Sequence, residues 1–424
     1  MEQADLLVCH AAQLATLAGH SQRPKRGPEL GDIGIIEDGA VAVRGDTIIA
    51  VGATSEVLSR VGAGPKTRVL EAGGRLVLPG LVDPHTHLVF AGSREYELEM
   101  KIRGAGYLEI LARGGGILDT VRATRAASRQ DLIRTATKYL DQMLDQGTTT
   151  AEAKSGYGLS LAEELKMLDA ARELDREHPV DLVSTFMGAH AVPPEYRDRP
   201  EQFVALVIDE MLPTVANRQL ADFCDVFCEE GVFSVDQSRR ILQAAKNLGF
   251  RLKIHADEII SLGGAELAVE LGATSADHLM AVSDQGIRRL AEADTVAVLL
   301  PATTFCLMGD RYAPARRLIA AGAAVALASD FNPGSCPVNS LQIVMGIACR
   351  QLKMTPAEAI SAATINAAHA IGRAGAVGSL EVGKQADLVI FDAPNYQYLM
   401  YRFGANLAET VIKSGRVVKG GTQQ

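Results

Sequence analysis

The chain has 424 residues, too many for one small domain and enough for a barrel-sized catalytic unit with a smaller companion. Hydrophobic residues make up 47% and charged residues 22%, with no Trp, which excludes a disordered or fibrous chain. Lys and Arg total 42 against 51 Asp and Glu, a net charge of -9 with no basic cluster, which argues against a nucleic acid partner.

The opening Met1-Glu2-Gln3-Ala4-Asp5 has neither the basic flank nor the apolar core of a secretory signal. The longest apolar stretches fall short of the roughly 20 residues of a membrane span, so no membrane partner and a cytoplasmic location are expected. Up to about residue 75 the texture is β-rich: Ala40 to Val51 alternates around Gly45-Asp46, a hairpin turn. The same texture returns at Ala386 to Asp392 and Glu409 to Val418. Residues 1–75 and 378–424 are therefore expected to build one discontinuous β-sandwich.

Between them, apolar strand-like runs near 81–87, 147–153, 181–189, 223–230, 251–257, 273–278, 295–301 and 324–330 alternate with helical stretches. Ser160-Leu161-Ala162-Glu163, Ser234-Val235-Asp236-Gln237 and Thr355-Pro356-Ala357-Glu358 read as capping boxes. In the helix after Asp131, Leu132, Ile133, Ala136, Tyr139, Leu140, Met143 and Leu144 recur at three and four and mark a buried stripe. Eight such units over 76–377 predict an α/β fold, a (β/α)8 TIM-type barrel. The competing doubly wound sheet lacks its Gly-x-Gly-x-x-Gly or Gly-x-x-x-x-Gly-Lys-Ser/Thr loop.

A barrel carries its chemistry at the carboxy ends of its strands. Leu81-Val82-Asp83-Pro84-His85-Thr86-His87 closes the first strand with two histidines on one side. His255 ends the fifth strand and Asp330 the eighth. Each alone has an ordinary reading, a satisfied core histidine or a helix N-cap; together they form a nitrogen and oxygen donor set for one Zn or Fe ion rather than Ca²⁺ or Mg²⁺. Glu258, three residues past His255, is the candidate proton shuttle, and His278 at the sixth strand end the candidate holder of water or of a developing oxyanion. A second metal would need a carboxylated lysine on the fourth strand, where Cys224-Asp225-Val226-Phe227-Cys228 has none. Lys154, closing the second strand, reads as structural or substrate-facing. The six scattered cysteines read as reduced thiols.

These residues resemble the amidohydrolase superfamily in its single-metal branch: His-x-His, His-x-x-Glu on strand five, His on strand six, Asp on strand eight. Val382-Gly383-Lys384-Gln385-Ala386-Asp387-Leu388-Val389 is similar to that family's return into its β-domain. Within it, Asp83 to Glu95, Ala153 to Leu159 and Ser329 to Ser335 look like the imidazolonepropionase family of hydrolases, with Ser335 keeping the hydroxyl of a position that is often Thr. The resemblance implies hydrolysis of the ring amide C–N bond of 4-imidazolone-5-propanoate to N-formimidoyl-L-glutamate, in histidine degradation. It further implies that Arg94 and Tyr157 bind the substrate carboxylate, that Tyr107, His190 and Glu258 contact the ring or carbonyl, and that Asn332, Gly334 and Ser335 hold the substrate from the Asp330 loop. Asp330 would take the proton of the attacking water, with Glu258 or Asp330 protonating the leaving nitrogen. A homodimer is the family expectation. Two alternatives stay open: a purine- or pyrimidine-type deaminase on the same metal site, and a non-catalytic scaffold.

Overall fold

A computed structural model describes residues 2–104 and 115–420, so Tyr107 lies outside the described residues. Strands are numbered in chain order. β1 (Glu2–Ala15), β2 (Ile35–Arg44) and β3 (Thr47–Ala53) pair antiparallel, and Gly45-Asp46 makes the two-residue turn, with Gly45 at φ +61°. β4 (Val61–Glu71) and β5 (Leu76–Pro79) both run parallel to β1.

At Gly80 the chain leaves this sheet for a barrel of eight parallel strands: β6 (Leu81–Asp83), β7 (Thr148–Lys154), β8 (Asp181–Ala189), β9 (Phe223–Cys228), β10 (Arg251–Ala256), β11 (Ser275–His278), β12 (Val296–Leu299) and β13 (Val325–Leu327). Each pairs with the next in order. Nearly every strand residue is buried, as expected for strands covered on both faces. β6 stops at Asp83 rather than at 87 because Pro84 offers no N–H to the ladder. The segments beyond β6 and β13 still close the ring: Asp330 N donates to His85 O at 3.0 Å and His87 N to Phe331 O at 2.9 Å.

Helices cover the barrel. The helix Arg129–Asp145 buries Leu132, Ala136, Leu140, Met143 and Leu144 against it, while Ile133 and Tyr139 are half-buried at the edge of the stripe. Ser234 and Thr355 cap their helices with reciprocal bonds to Gln237 and Glu358, a device worth about 1 kcal/mol each. Ser160 does not: its side chain makes no cap bond, and Glu163 pairs instead with Lys166. The preceding loop takes its anchor from Glu164, one residue later.

The chain returns to the first sheet through β14 (Leu388–Phe391), β15 (Ala408–Lys413) and β16 (Arg416–Lys419), with β14 antiparallel to β5. One mixed sheet thus joins the two ends of the chain, with Leu6, Val8, Leu14, Val41, Val43, Val77, Leu388, Ile390 and Ile412 in a shared core. β5 leads directly into β6, so the segment that runs on from β6 to His85 and His87 is anchored from behind. Among the described residues no helix is long and apolar enough to cross a membrane.

Candidate active site

The barrel's carboxy ends bring together side chains scattered over almost 250 positions of sequence. His85, His87 and Asp330 offer donor atoms within 4.8 Å of one another, and so do His85, His255 and His278. His85 Nε2 is 3.4 Å and His87 Nε2 3.7 Å from Asp330 Oδ1. The His85 and His255 rings lie 4.5 Å apart, His255 and His278 5.0 Å. His278, expected to hold water or an oxyanion, thus stands as close to the histidine cluster as a ligand would.

Local backbone aims these groups. Asp330 and His278 both adopt left-handed conformations, φ +54° and +78°, which turn the chain sharply off the strand end. Asp257 is also left-handed, φ +50°, and its carboxylate accepts amide bonds from Leu262, Gly263, Gly264 and Ala265 at 2.9–3.1 Å. That knot fixes the loop bearing Glu258. Glu258 Oε1 comes within 3.6 Å of His278 Nδ1.

Burial dominates the electrostatics. It pushes His85, His87 and His278 well below the usual imidazole range and His190 down to about 3, which favours the neutral imidazole at all four. Burial also works against the charged form of His255, but Asp225 outweighs it and holds that imidazole above its ordinary value. Burial, with Asp330 adding, raises Glu258 to about 8. Asp330 is raised to about 6 by burial, an effect moderated by the bond from Thr303 Oγ1 to its Oδ2 at 2.8 Å.

The donor set fits a transition metal. His85 Nε2 and His255 Nε2 are buried without a hydrogen-bond partner among the described residues, an arrangement too costly for a core unless an electrophile takes the lone pairs. Behind them, His85 Nδ1 meets Asp277 Oδ2 at 2.6 Å, and His255 Nδ1 lies 3.1 Å from Asp225 Oδ2. The bond to Asp277 fixes the His85 tautomer that points Nε2 outward, and the nearby Asp225 carboxylate favours the same tautomer at His255.

The remaining candidates line the approach. His190 stacks on His87 at 4.8 Å and its Nδ1 bonds Gly156 O at 3.1 Å. Gly156, at φ +112°, has no room for a Cβ, which would stand 2.8 Å from His190 Nδ1. Tyr157 is buried 5.3 Å from the His190 ring, within the fields of both Arg94 and Asp330. Arg94 does not form a surface ion pair: Nε and Nη2 grip the buried Glu97 carboxylate at 2.8 and 2.9 Å. Asn332 uses its side-chain amide within the loop, Nδ2 donating to Asp330 O and Ser335 Oγ, Oδ1 accepting from Gly334 N and Ser335 N. It holds Gly334 and Ser335 in place.

Sequence reasoning passed over Glu97, Glu152, Glu164, Asp225, Lys253 and Asp277. One signal was present: charged residues at spacing two, Glu152-x-Lys154 and Lys253-x-His255, repeat the His85-x-His87 pattern and mark inward-facing strand positions.

An amidohydrolase family model matches residues 76–418. The chain is 55% identical to the imidazolonepropionase of Alkaliphilus oremlandii, covering 98% of each chain, and 58% identical to that of Geobacillus kaustophilus, covering 97% of each. Among solved structures it superposes on a zinc-bound adenosine deaminase from Xanthomonas campestris with a TM-score of 0.73 at 20% identity, covering 99% of this chain and 94% of that one, a likeness of fold. The chain belongs to the amidohydrolase family.

Proposed function

We propose that the chain hydrolyses the ring amide C–N bond of 4-imidazolone-5-propanoate to N-formimidoyl-L-glutamate, a step of histidine degradation, at one Zn or Fe ion held by His85, His87, His255 and Asp330. The observation that carries this reading is that Tyr157 lies 5.7 Å from the His87 ring while Arg94 packs against Gly334 on the Asp330 loop, so a carboxylate-binding end and a metal-binding end share one approach. The relatives named for this activity, at 55–58% identity over nearly their whole length, support it.

When bound, the metal supplies Lewis acidity and makes water a nucleophile near neutral pH. The chain's own groups do the rest. Arg94 and Tyr157 bind the propanoate, and Gly334 and Ser335 hold the ring against the His87 and His190 pair. Asp330 takes the proton of the attacking water as the new C–O bond forms at the ring carbonyl. His278, neutral and fixed at its strand end, donates to the oxyanion that develops there. Glu258, protonated at neutral pH because burial raises it, gives its proton to the departing ring nitrogen as the C–N bond breaks. Proton return from Asp330 to Glu258 resets the site.

The test incubates metal-loaded protein with 4-imidazolone-5-propanoate and, separately, with guanine, cytosine and adenosine. Loss of imidazolone absorbance with formation of N-formimidoyl-L-glutamate and no ammonia is the expected result. Ammonia from a nucleobase with no turnover of the imidazolone would replace this reading with a deaminase.

A further inference from the structure

Beneath the histidine cluster lies a layer of acidic and basic side chains that the proposed chemistry does not use. Glu152 and Lys154 come from β7, Asp225 from β9, Lys253 from β10 and Asp277 from β11, and every one of these side chains is 0% exposed. Lys154 is its hub. Its Nζ stands 2.6 Å from Asp225 Oδ2, 2.9 Å from Glu152 Oε2 and 3.8 Å from Asp277 Oδ2. Two of those oxygens are the atoms that face the histidines: Asp225 Oδ2 is 3.1 Å from His255 Nδ1, and Asp277 Oδ2 is 2.6 Å from His85 Nδ1. A single ammonium therefore ties together the carboxylates behind two different strand-end imidazoles.

We infer that Lys154 is a positioning residue of the metal centre: by holding Asp225 and Asp277 it aims His255 Nε2 and His85 Nε2 at one cation. The inference rests on the metal reading above. Burial works against the charge on Lys154, yet Asp225, Glu152 and Asp277 hold it above the ordinary lysine range, so the ammonium is a permanent member of the layer.

Two effects of removing Lys154 oppose each other. A lost positive charge by itself would draw a metal cation more strongly. Without Lys154 Nζ, however, Asp225 Oδ2 and Glu152 Oε2 lose the group that holds them at 2.6 and 2.9 Å, and the carboxylates are free to turn away from the histidines they back. Loss of aim therefore prevails over the gain in charge. Lys253 is the internal comparison. It is equally buried and reaches Glu152 Oε1 at 3.4 Å and Asp277 Oδ2 at 3.9 Å, but its hydrogen bonds go to Pro84 O and Ala370 O. It makes no contact with Asp225 among the interactions of the described residues.

The experiment strips the metal from the wild type, Lys154→Met, Lys154→Gln, Lys253→Met, Asp225→Asn and the double variant Lys154→Met/Asp225→Asn, and titrates each with Zn²⁺ against a chromogenic chelator. Circular dichroism monitors folding, and the visible spectrum of the Co²⁺ forms reports ligand geometry. The Lys154 variants are expected to bind Zn²⁺ about 10–100-fold more weakly with an altered Co²⁺ spectrum. Lys253→Met should lose less, and the double variant no more than the worse single one, because both changes act through His255. Failure of the wild type to bind Zn²⁺ would overturn the metal reading and this inference with it. Wild-type binding, with both folded Lys154 variants within twofold of it, would overturn this inference alone. If Lys154→Met does not fold, the Gln and double variants carry the measurement, and failure of all three to fold would make Lys154 structural only.

Discussion

Arg94 lies directly over Gly334: a Cβ built on that glycine would stand 2.0 Å from Arg94 Nη1 and 2.3 Å from its Cζ. With Nε and Nη2 committed to Glu97, the third nitrogen is the one turned to the Asp330 loop, and Lys101 Nζ reaches Gly334 O on the same side at 3.2 Å. Gly334→Ala must push the guanidinium aside. A charge-assisted hydrogen bond is worth about 1.5–3 kcal/mol, so KM should rise roughly 10- to 150-fold with a smaller change in kcat. Arg94→Ala should do the same. Steady-state kinetics with an unchanged KM in both variants would reject the carboxylate role.

His255→Ala removes a ligand outright and should abolish both metal content and turnover. Outer partners of metal sites are already worth about 10–100-fold in affinity, so a direct ligand should cost more than about 100-fold. Elemental analysis beside activity decides it, and treatment of the wild type with a chelator should reproduce the loss and be reversed by Zn²⁺ or Fe²⁺. A metal-free His255→Ala that turns over normally would sink the site.

Glu164 anchors the loop that presents Tyr157. Its Oε2 accepts from Gly156 N at 3.0 Å and its Oε1 from Gly158 N and Leu159 N at 2.8 Å. Glu164→Gln turns one acceptor oxygen into a donor facing an N–H, and an unsatisfied buried pair costs about 1–3 kcal/mol. A lower melting temperature together with a KM raised several-fold is expected. A destabilised variant with unaltered KM would separate the loop from substrate binding.

Glu164 also marks where the sequence was legible and where it was not. The spacing of Ser160 and Glu163 matches a capping box, but the side chain that matters is one residue on, chosen by which face of the helix start meets the loop. By contrast, that His85, His87, His255 and Asp330 would meet on one rim could be read directly, since a parallel barrel places every strand end there whatever its details. The carboxylates behind them could not. Asp225 and Asp277 reach their histidines across strand boundaries, and that contact depends on the stagger of β9, β10 and β11, which no single strand's pattern encodes. Arg94 was legible as a cation near the site but not its grip on Glu97, because the helix Glu95–Ile102 turns that carboxylate inward.

Glu258 gives the site its pH signature. Burial first, and Asp330 second, raise its carboxyl from 4.5 to about 8. The acid form is therefore the resting form at neutral pH, which suits a group that must donate to a leaving nitrogen. As pH rises through about 8 that proton is lost and kcat should fall tenfold per unit, giving an alkaline limb. The sign for stability follows the same shift: the folded state holds a proton the unfolded chain releases, so this group's contribution is full below about 4.5 and is lost as pH rises through about 8. Glu258→Gln should lower kcat by about 10²- to 10⁴-fold, flatten the alkaline limb and make the melting temperature less dependent on pH between those values. A Gln variant that keeps the wild-type limb would move the titration to another group, and with it the role of general acid.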